Sequence, residues 1–279
     1  MRPRRRLLPL LFAFLGAAAL MAAPRPSRAQ VNAESLRPNP LRPGWSGGLD
    51  ASVSLSRGNI QLFDVGGAAR LQYQTLHPAP AQPAPGEPPS FKLRAMLVAN
   101  GRFAEKGGNP IVSQAYAHAR FTQMWHPRVG TDVFAQVQYN RFWRLKARFV
   151  TGLGLRAHLV HRRGIMLWAG AGYMFEYNRT SPLESSGVDA ETFEHRLTTY
   201  LAARVDAFGE RLLLQNIVYL QPRFDAPTDL QVLNELELQT KVTDLLTVGA
   251  TMALLYNSAP PEGIVPTDLR LLSSARLSF

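Results

Sequence analysis

Along most of this chain apolar and polar residues alternate one for one, in runs long enough to cross a bilayer. From Trp45 to Arg57 the apolar or small positions include Trp45, Leu49, Ala51, Val53 and Leu55, and the polar ones Ser46, Asp50, Ser52, Ser54 and Ser56. A period of two sends successive side chains to opposite faces of an extended strand, so each run has a greasy face and a wet one. At 91–100, Phe91, Leu93, Ala95, Leu97 and Ala99 oppose Lys92, Arg94 and Asn100. The pattern recurs at 146–159, 194–206, 230–239 and 268–279, with charged residues concentrated on one side.

Turn-forming clusters separate these runs: Ser56–Asn59, Glu105–Pro110, His126–Gly130, His161–Gly164, Ala207–Glu210, Gln221–Asp229 and Asn257–Thr267. The runs predict twelve strands, at 45–57, 60–75, 90–103, 112–124, 129–140, 146–160, 164–177, 194–206, 211–221, 229–241, 245–256 and 268–279. A tilted strand needs about 9–11 residues to span a membrane, and single-chain bacterial barrels have an even number of strands. The run at 211–221 is the least regular, because Leu212, Leu213 and Leu214 blur its faces.

Alternation alone does not separate a membrane barrel from a soluble sandwich. The N-terminus contributes to the choice. A cluster of arginines, an apolar stretch from Leu7 to Ala23 and the small residues of Ser27-Arg28-Ala29 have the layout of a signal peptide, with cleavage expected after Ala29. An uncleaved anchor is the alternative reading, since that stretch is near the short limit of about 17–25 residues for a spanning helix. Removing residues 1–29 takes away six arginines and no acid, so the formal charge falls from +11 to +5. The basic character belongs largely to the signal, and a nucleic-acid partner is not expected. Cysteine is absent, which excludes disulfides and a lipidated cysteine.

No later apolar run reaches the length of about 18 residues that marks a membrane helix. Aromatics crowd the expected strand ends, among them Trp45, Phe103, Trp125, Tyr139, Trp143, Tyr177, Phe193, Tyr256 and Phe279, as rings at membrane interfaces do. The strands also exceed the usual soluble length of about 5–6 residues. The expected fold is all-β: an antiparallel transmembrane β-barrel of about twelve strands, of the outer-membrane type, closed because lipid tolerates no unpaired sheet edge.

The expected organisation is a signal peptide at 1–29, an irregular periplasmic lead-in at 30–44 and a barrel domain at 45–279. With Phe279 on the periplasmic side, the connections at 125–129, 161–164, 207–210 and 241–245 fall inside the cell envelope and are short. Those at 104–111, 178–193, 221–229 and 257–267 fall outside and are longer, the asymmetry of outer-membrane barrels. The proline-rich 77–89, an expected extended and disordered loop, is long yet periplasmic in this scheme.

Three stretches carry a resemblance: "WSGGLDASVSLSRGNIQ" at 45–61, "RFWRLKARFVTGLGL" at 141–155 and "YNSAPPEGIVPTDLRLLSSARLSF" at 256–279. They look like the bacterial salt-induced outer-membrane protein family, a β-barrel group of unknown function. Ser56-Arg57-Gly58-Asn59 resembles its first hairpin. Tyr256, Ser258, Pro260, Pro261, Gly263, Asp268 and Phe279 resemble its last. Asn257 departs from the acid more usual there, and the proline-rich insertion is a second departure. The resemblance implies an outer-membrane barrel and supplies no catalytic residues. It also implies partners: outer-membrane lipid, periplasmic chaperones and an assembly machinery that reads the last strand, with Leu277 and Phe279 as the assembly signal.

Chemical motifs are sparse. Gly152-Leu153-Gly154 and Gly170-Ala171-Gly172 neither open a helix nor complete a dinucleotide fingerprint, and are read as relieving crowding in a curved wall. His158 and His161 stand three apart, a spacing that sends them to opposite faces of a regular strand. No metal or cofactor is expected. The rival to a pore is an outer-membrane hydrolase with its site on the barrel wall, but no nucleophile elbow is present.

The wet faces collect the candidate lumen charges: Arg70, Lys92, Arg94, Arg120, Arg148, Arg156, Arg196, Arg204, Glu235, Glu237, Asp268, Arg270 and Arg276. Either they pair to stabilise the wall or, in an open lumen, their positive excess favours anions. The expected function is thus a structural envelope protein or a narrow passive pore for small anionic solutes in the outer membrane. No enzymatic activity is expected.

Overall fold

The computed structural model describes residues 43–58, 61–78, 89–182, 187–209, 211–243, 245–261 and 263–277. The expected signal peptide, nearly all of the lead-in, residues 79–88 of the proline-rich loop and Phe279 lie outside the described residues. Twelve strands follow one another: β1 (Gly44–Ser56), β2 (Leu62–Leu76), β3 (Phe91–Lys106), β4 (Asn109–His126), β5 (Val129–Asn140), β6 (Leu145–Arg162), β7 (Ile165–Thr180), β8 (Ala190–Ala207), β9 (Leu212–Pro222), β10 (Leu230–Lys241), β11 (Leu246–Asn257) and β12 (Thr267–Leu277). Each overlaps one run read from the sequence. In β9 the register settles the leucines: Leu213 lies opposite Asp206 and Gln239, on the face shared with Gln215, Ile217 and Tyr219.

All twelve strands form one antiparallel sheet in simple sequential order. Its two faces differ sharply. Leu153, Leu155 and Leu159 of β6, Leu201 of β8 and Leu269 and Leu271 of β12 are all exposed on one face, with Leu271 as high as 69%. The alternate positions carry Arg94, Gln114, Asp132, Arg148, Arg156, Glu176, Arg196 and Glu235, all buried. A water-soluble monomer does not present leucine over a whole face while burying guanidinium groups. Inverted polarity of this kind belongs to a wall whose outside meets hydrocarbon and whose inside is polar.

The sheet curls so that its inner face meets itself. Arg148 of β6 donates to Gln231 Oε1 of β10 at 2.9 Å, and Tyr200 of β8 donates to Asp132 Oδ2 of β5 at 3.0 Å. Strands three and four places apart in a flat sheet do not come within a hydrogen bond, so these contacts report the curvature of a barrel. Among the described residues no ladder joins β1 to β12, and every residue of β1 after Gly44 is exposed.

One end carries short connections: two residues between β4 and β5, and two between β6 and β7. The other end carries the longer segments 181–189, 223–229 and 258–266. The expected long outer loop at 104–111 is a correction. β3 and β4 run on to a two-residue turn of Gly107 and Gly108, both at positive φ (56° and 78°). Such a turn matches the twist of the strands and needs positive φ at both positions, which glycine adopts without strain.

Candidate functional site

The longer-loop end opens into a cavity of about 530 Å³, walled by the ends of β6, β7, β8, β10 and β11 and roofed on one side by Pro260, Pro261, Ile264 and Val265. Its floor is organised by Glu176, which alternation places on the inner face of β7. Arg148 Nε lies 2.9 Å from Glu176 Oε1, and Arg196 Nε lies 3.2 Å from Oε2. Asn178 Nδ2 donates to the same carboxylate at 2.9 Å, and Gln231 Nε2 approaches both of its oxygens at 3.4 and 3.5 Å. A carboxylate this deeply buried is tolerable only with its lone pairs filled by such donors.

Arg196 spreads the network towards the loops. It reaches Glu194 Oε2 at 2.5 Å and Asp229 Oδ1 at 2.9 Å, and donates to the carbonyl of Gln221 at 3.0 Å. Asp229 also accepts from Arg223, which grips Asp225 as well. The Arg223 hydrogen bond holds the Asp225 carboxyl below the usual carboxylate range. Across the mouth, Asp189 is clamped by Lys146 at 2.7 Å and Arg179 at 2.9 Å, and the hydrogen bond from Lys146, ahead of that from Arg179, lowers its pKa. Arg144, at φ 57° after the short 3₁₀ turn Arg141–Trp143, accepts at its carbonyl from Ser181 N (2.7 Å).

Below the floor lies a smaller space of about 60 Å³, lined by residues of seven strands that include His118, Arg120, Phe134, Gly154, Gly172, Tyr200 and Tyr219. Arg148 lines both spaces. Aromatic and apolar residues form a collar around the smaller one. Tyr116 stacks on His118 and His118 on Phe134, while Tyr200 packs against Tyr219 at 5.3 Å. Trp168, Ala202, Ile217 and Leu233 complete a buried cluster beside them. On the short-turn side of the collar lie Arg156, 3.8 Å from Asp132, and Arg94, whose guanidinium sits 3.9 Å over the Phe91 ring and donates to Gln74.

The sequence-selected charges fall into three groups. Arg148 and Arg196 meet on Glu176, and Asp268 lines the same cavity. Arg94, Arg120 and Arg156 surround the collar, with buried Glu235 on the inner face of β10. The rest pair locally: Arg70 with Asp50, Arg204 with Asp206, and Glu237 with Gln239, while Arg270 occupies an inner-face register position opposite Ala253. Lys92 is set apart. It falls at a bulge, unpaired between Leu93↔Thr75 and Phe91↔Leu76, and is exposed while Phe91 turns inward. Arg276 and Leu277 belong to β12, but their side chains are outside the description.

His158 and His161 correct the expectation of opposite faces. The β6–β7 register shifts between His158 and Val160, so Leu159 is an extra residue and both imidazoles face inward. They stack at 5.1 Å with planes 3° apart. Sequence reasoning also passed over Glu176, Asp132, Trp168, Tyr200 and Tyr219. The available signal for Glu176 was its spacing from Met166, Trp168, Gly170, Gly172 and Met174, the positions of β7 that share its face.

A family described as protein of unknown function, DUF481, matches residues 90–279, more than half of the chain. The chain belongs to the DUF481 family. The match begins just before β3 and runs to the end, so it takes in every residue named above as lining the 530 Å³ cavity or forming the collar. Among solved structures, a NanC porin in a rhombohedral crystal form is similar, with 11% identity over 84% of this chain and 99% of that one and a TM-score of 0.42. No curated protein matches.

Proposed function

We propose that this DUF481 protein is a narrow outer-membrane channel for small solutes, with a preference for anions. The observation that carries the reading is a greasy outer wall around a polar interior that holds spaces of about 530 and 60 Å³. A barrel of about eight strands is filled by its own side chains and one of about sixteen is an open channel; twelve strands with a collar stand between them. Fixed arginines along the path, Arg94, Arg120, Arg148 and Arg156, support anion preference, while Asp132 and Glu176 temper it.

The reading extends to the outer membrane as location, with periplasmic chaperones and the assembly machinery as partners and Leu277 and Phe279 as the assembly signal. The narrower salt-induced family assignment rests on the stretches 45–61, 141–155 and 256–279, the last of them the most specific, and belongs to the same proposal. Because the collar leaves so little space, a purely structural role is the second reading. Planar-bilayer recording of refolded protein separates them. Discrete currents with a reversal potential displaced towards the anion support the channel. A silent bilayer containing folded barrel supports the structural role and overturns the channel.

A further inference from the structure

The glycines of β6 and β7 are more than a relief of crowding. Gly152, Gly154, Gly170 and Gly172 all occupy inner-face positions, with Gly154 directly opposite Gly172. A Cβ built on Gly170 would lie 2.2 Å from Tyr200 Cε1 and 2.5 Å from its Cζ, and one on Gly152 would lie 2.4 Å from Phe134 Cζ. Two rings therefore rest directly on backbone, where any other residue would hold them off. Gly154 and Gly172 differ in kind: added carbons there meet the main-chain oxygens of Ala171 and Leu153 at 2.8 and 2.3 Å. The two strands approach too closely there to admit side chains, a common use of glycine inside a strand.

Tyr200 shows what the seat achieves. Its partner across the β7–β8 ladder is Gly170, and its hydroxyl reaches past β7 and β6 to donate to Asp132 of β5 at 3.0 Å. Asp132 is in turn fixed by Thr122 Oγ1 at 2.5 Å. The ring is thus laid along the wall and pinned at its far end. Phe134 is held against the wall by its own glycine and covered by His118 at 6.1 Å. Both rings line the narrow space at the collar.

We propose that this glycine floor is a seat, and that Tyr200 and Phe134 lying on it set the aperture of the lumen. The inference rests on the channel reading and names its solute class. A space of about 60 Å³ accommodates on the order of five waters, at roughly 10–15 Å³ of such volume for each. A space of that volume takes inorganic ions and the smallest organic acids and is too small for a hexose.

Single-channel recording in potassium chloride tests this on four proteins: wild type, Tyr200→Ala, Phe134→Ala and Gly170→Ala, each first shown to be folded by its heat-dependent mobility in gels. Removing either ring raises the conductance roughly twofold or more, because a hydrophobic constriction limits the current. Gly170→Ala puts its methyl against Tyr200, the nearest side chain to it, lifts that ring off the wall and lowers the conductance to about half on the same reasoning. Liposome swelling gives the matching size limit, with glucose entering Tyr200→Ala vesicles and not wild-type ones. A wild-type current that all three substitutions leave unchanged overturns the aperture while leaving the channel standing. Absence of current in wild type and in both ring deletions overturns the two together.

Discussion

Glu176 sits between two arginines in the interior, and its effect on stability follows from what its loss would strand. Replacing it by alanine leaves Arg148 and Arg196 buried with like charges facing, and breaking a buried pair from one side costs about 3–5 kcal/mol. Arg196 retains Glu194 and Asp229, so Arg148 bears most of the penalty. Denaturant unfolding in lipid vesicles should show Glu176→Ala destabilised by about that amount; a change below about 1 kcal/mol, the worth of an exposed pair, contradicts the network. At this scale the sequence was half legible. Arginines at 94, 148, 156 and 196 stood out because alternation isolates a charge among leucines. Glu176 did not, because its strand reads Met-Phe-Glu-Tyr, apolar on both faces. The outer face of β7 meets lipid and its inner face supplies the collar. An aromatic residue has no sequence mark separating an interfacial ring from a luminal one, which is why Trp168, Tyr200 and Tyr219 went unnoticed.

Strands were the most legible elements, since a period of two survives twist and curl and only glycine or proline clusters end it. What alternation cannot carry is a bulge. One extra residue on one strand reverses the parity beyond it, and this happens at Lys92 and at Leu159. His161 and Phe91 were therefore assigned to the wrong face by counting. The loops follow another rule, being held by ion pairs at their bases. Asp189, between β7 and β8, is grasped by Lys146 and Arg179 and has its pKa lowered from an ordinary 3.8. A depressed carboxylate contributes stability that is present above its ordinary value and lost as pH falls through the lowered one. A spin label on Val188→Cys, an exposed site beside the clamp, should keep the same mobility from neutral pH down to 3.8 and loosen only below it. Loosening already above pH 5, or no difference in Asp189→Asn, contradicts the clamp.

The molecule as a whole is an inside-out protein, with charge held in its interior and leucine on its surface. That arrangement has meaning only in a hydrocarbon solvent, and hydrocarbon in turn requires every strand edge to be paired. β1 is the first strand of the described sheet, pairing with β2 along Gly44–Ser56 and carrying Leu49, Val53 and Leu55 on its apolar side and Asp50, Ser52 and Ser54 on its polar side. A scan of spin labels along residues 49–55 of the protein in lipid vesicles is the most direct measurement. The account predicts strict alternation: labels at 49, 51, 53 and 55 relax with membrane-dissolved oxygen, and those at 50, 52 and 54 with a water-soluble nickel chelate. Equal access to the chelate at both parities, as for a strand at an open edge in water, would contradict it.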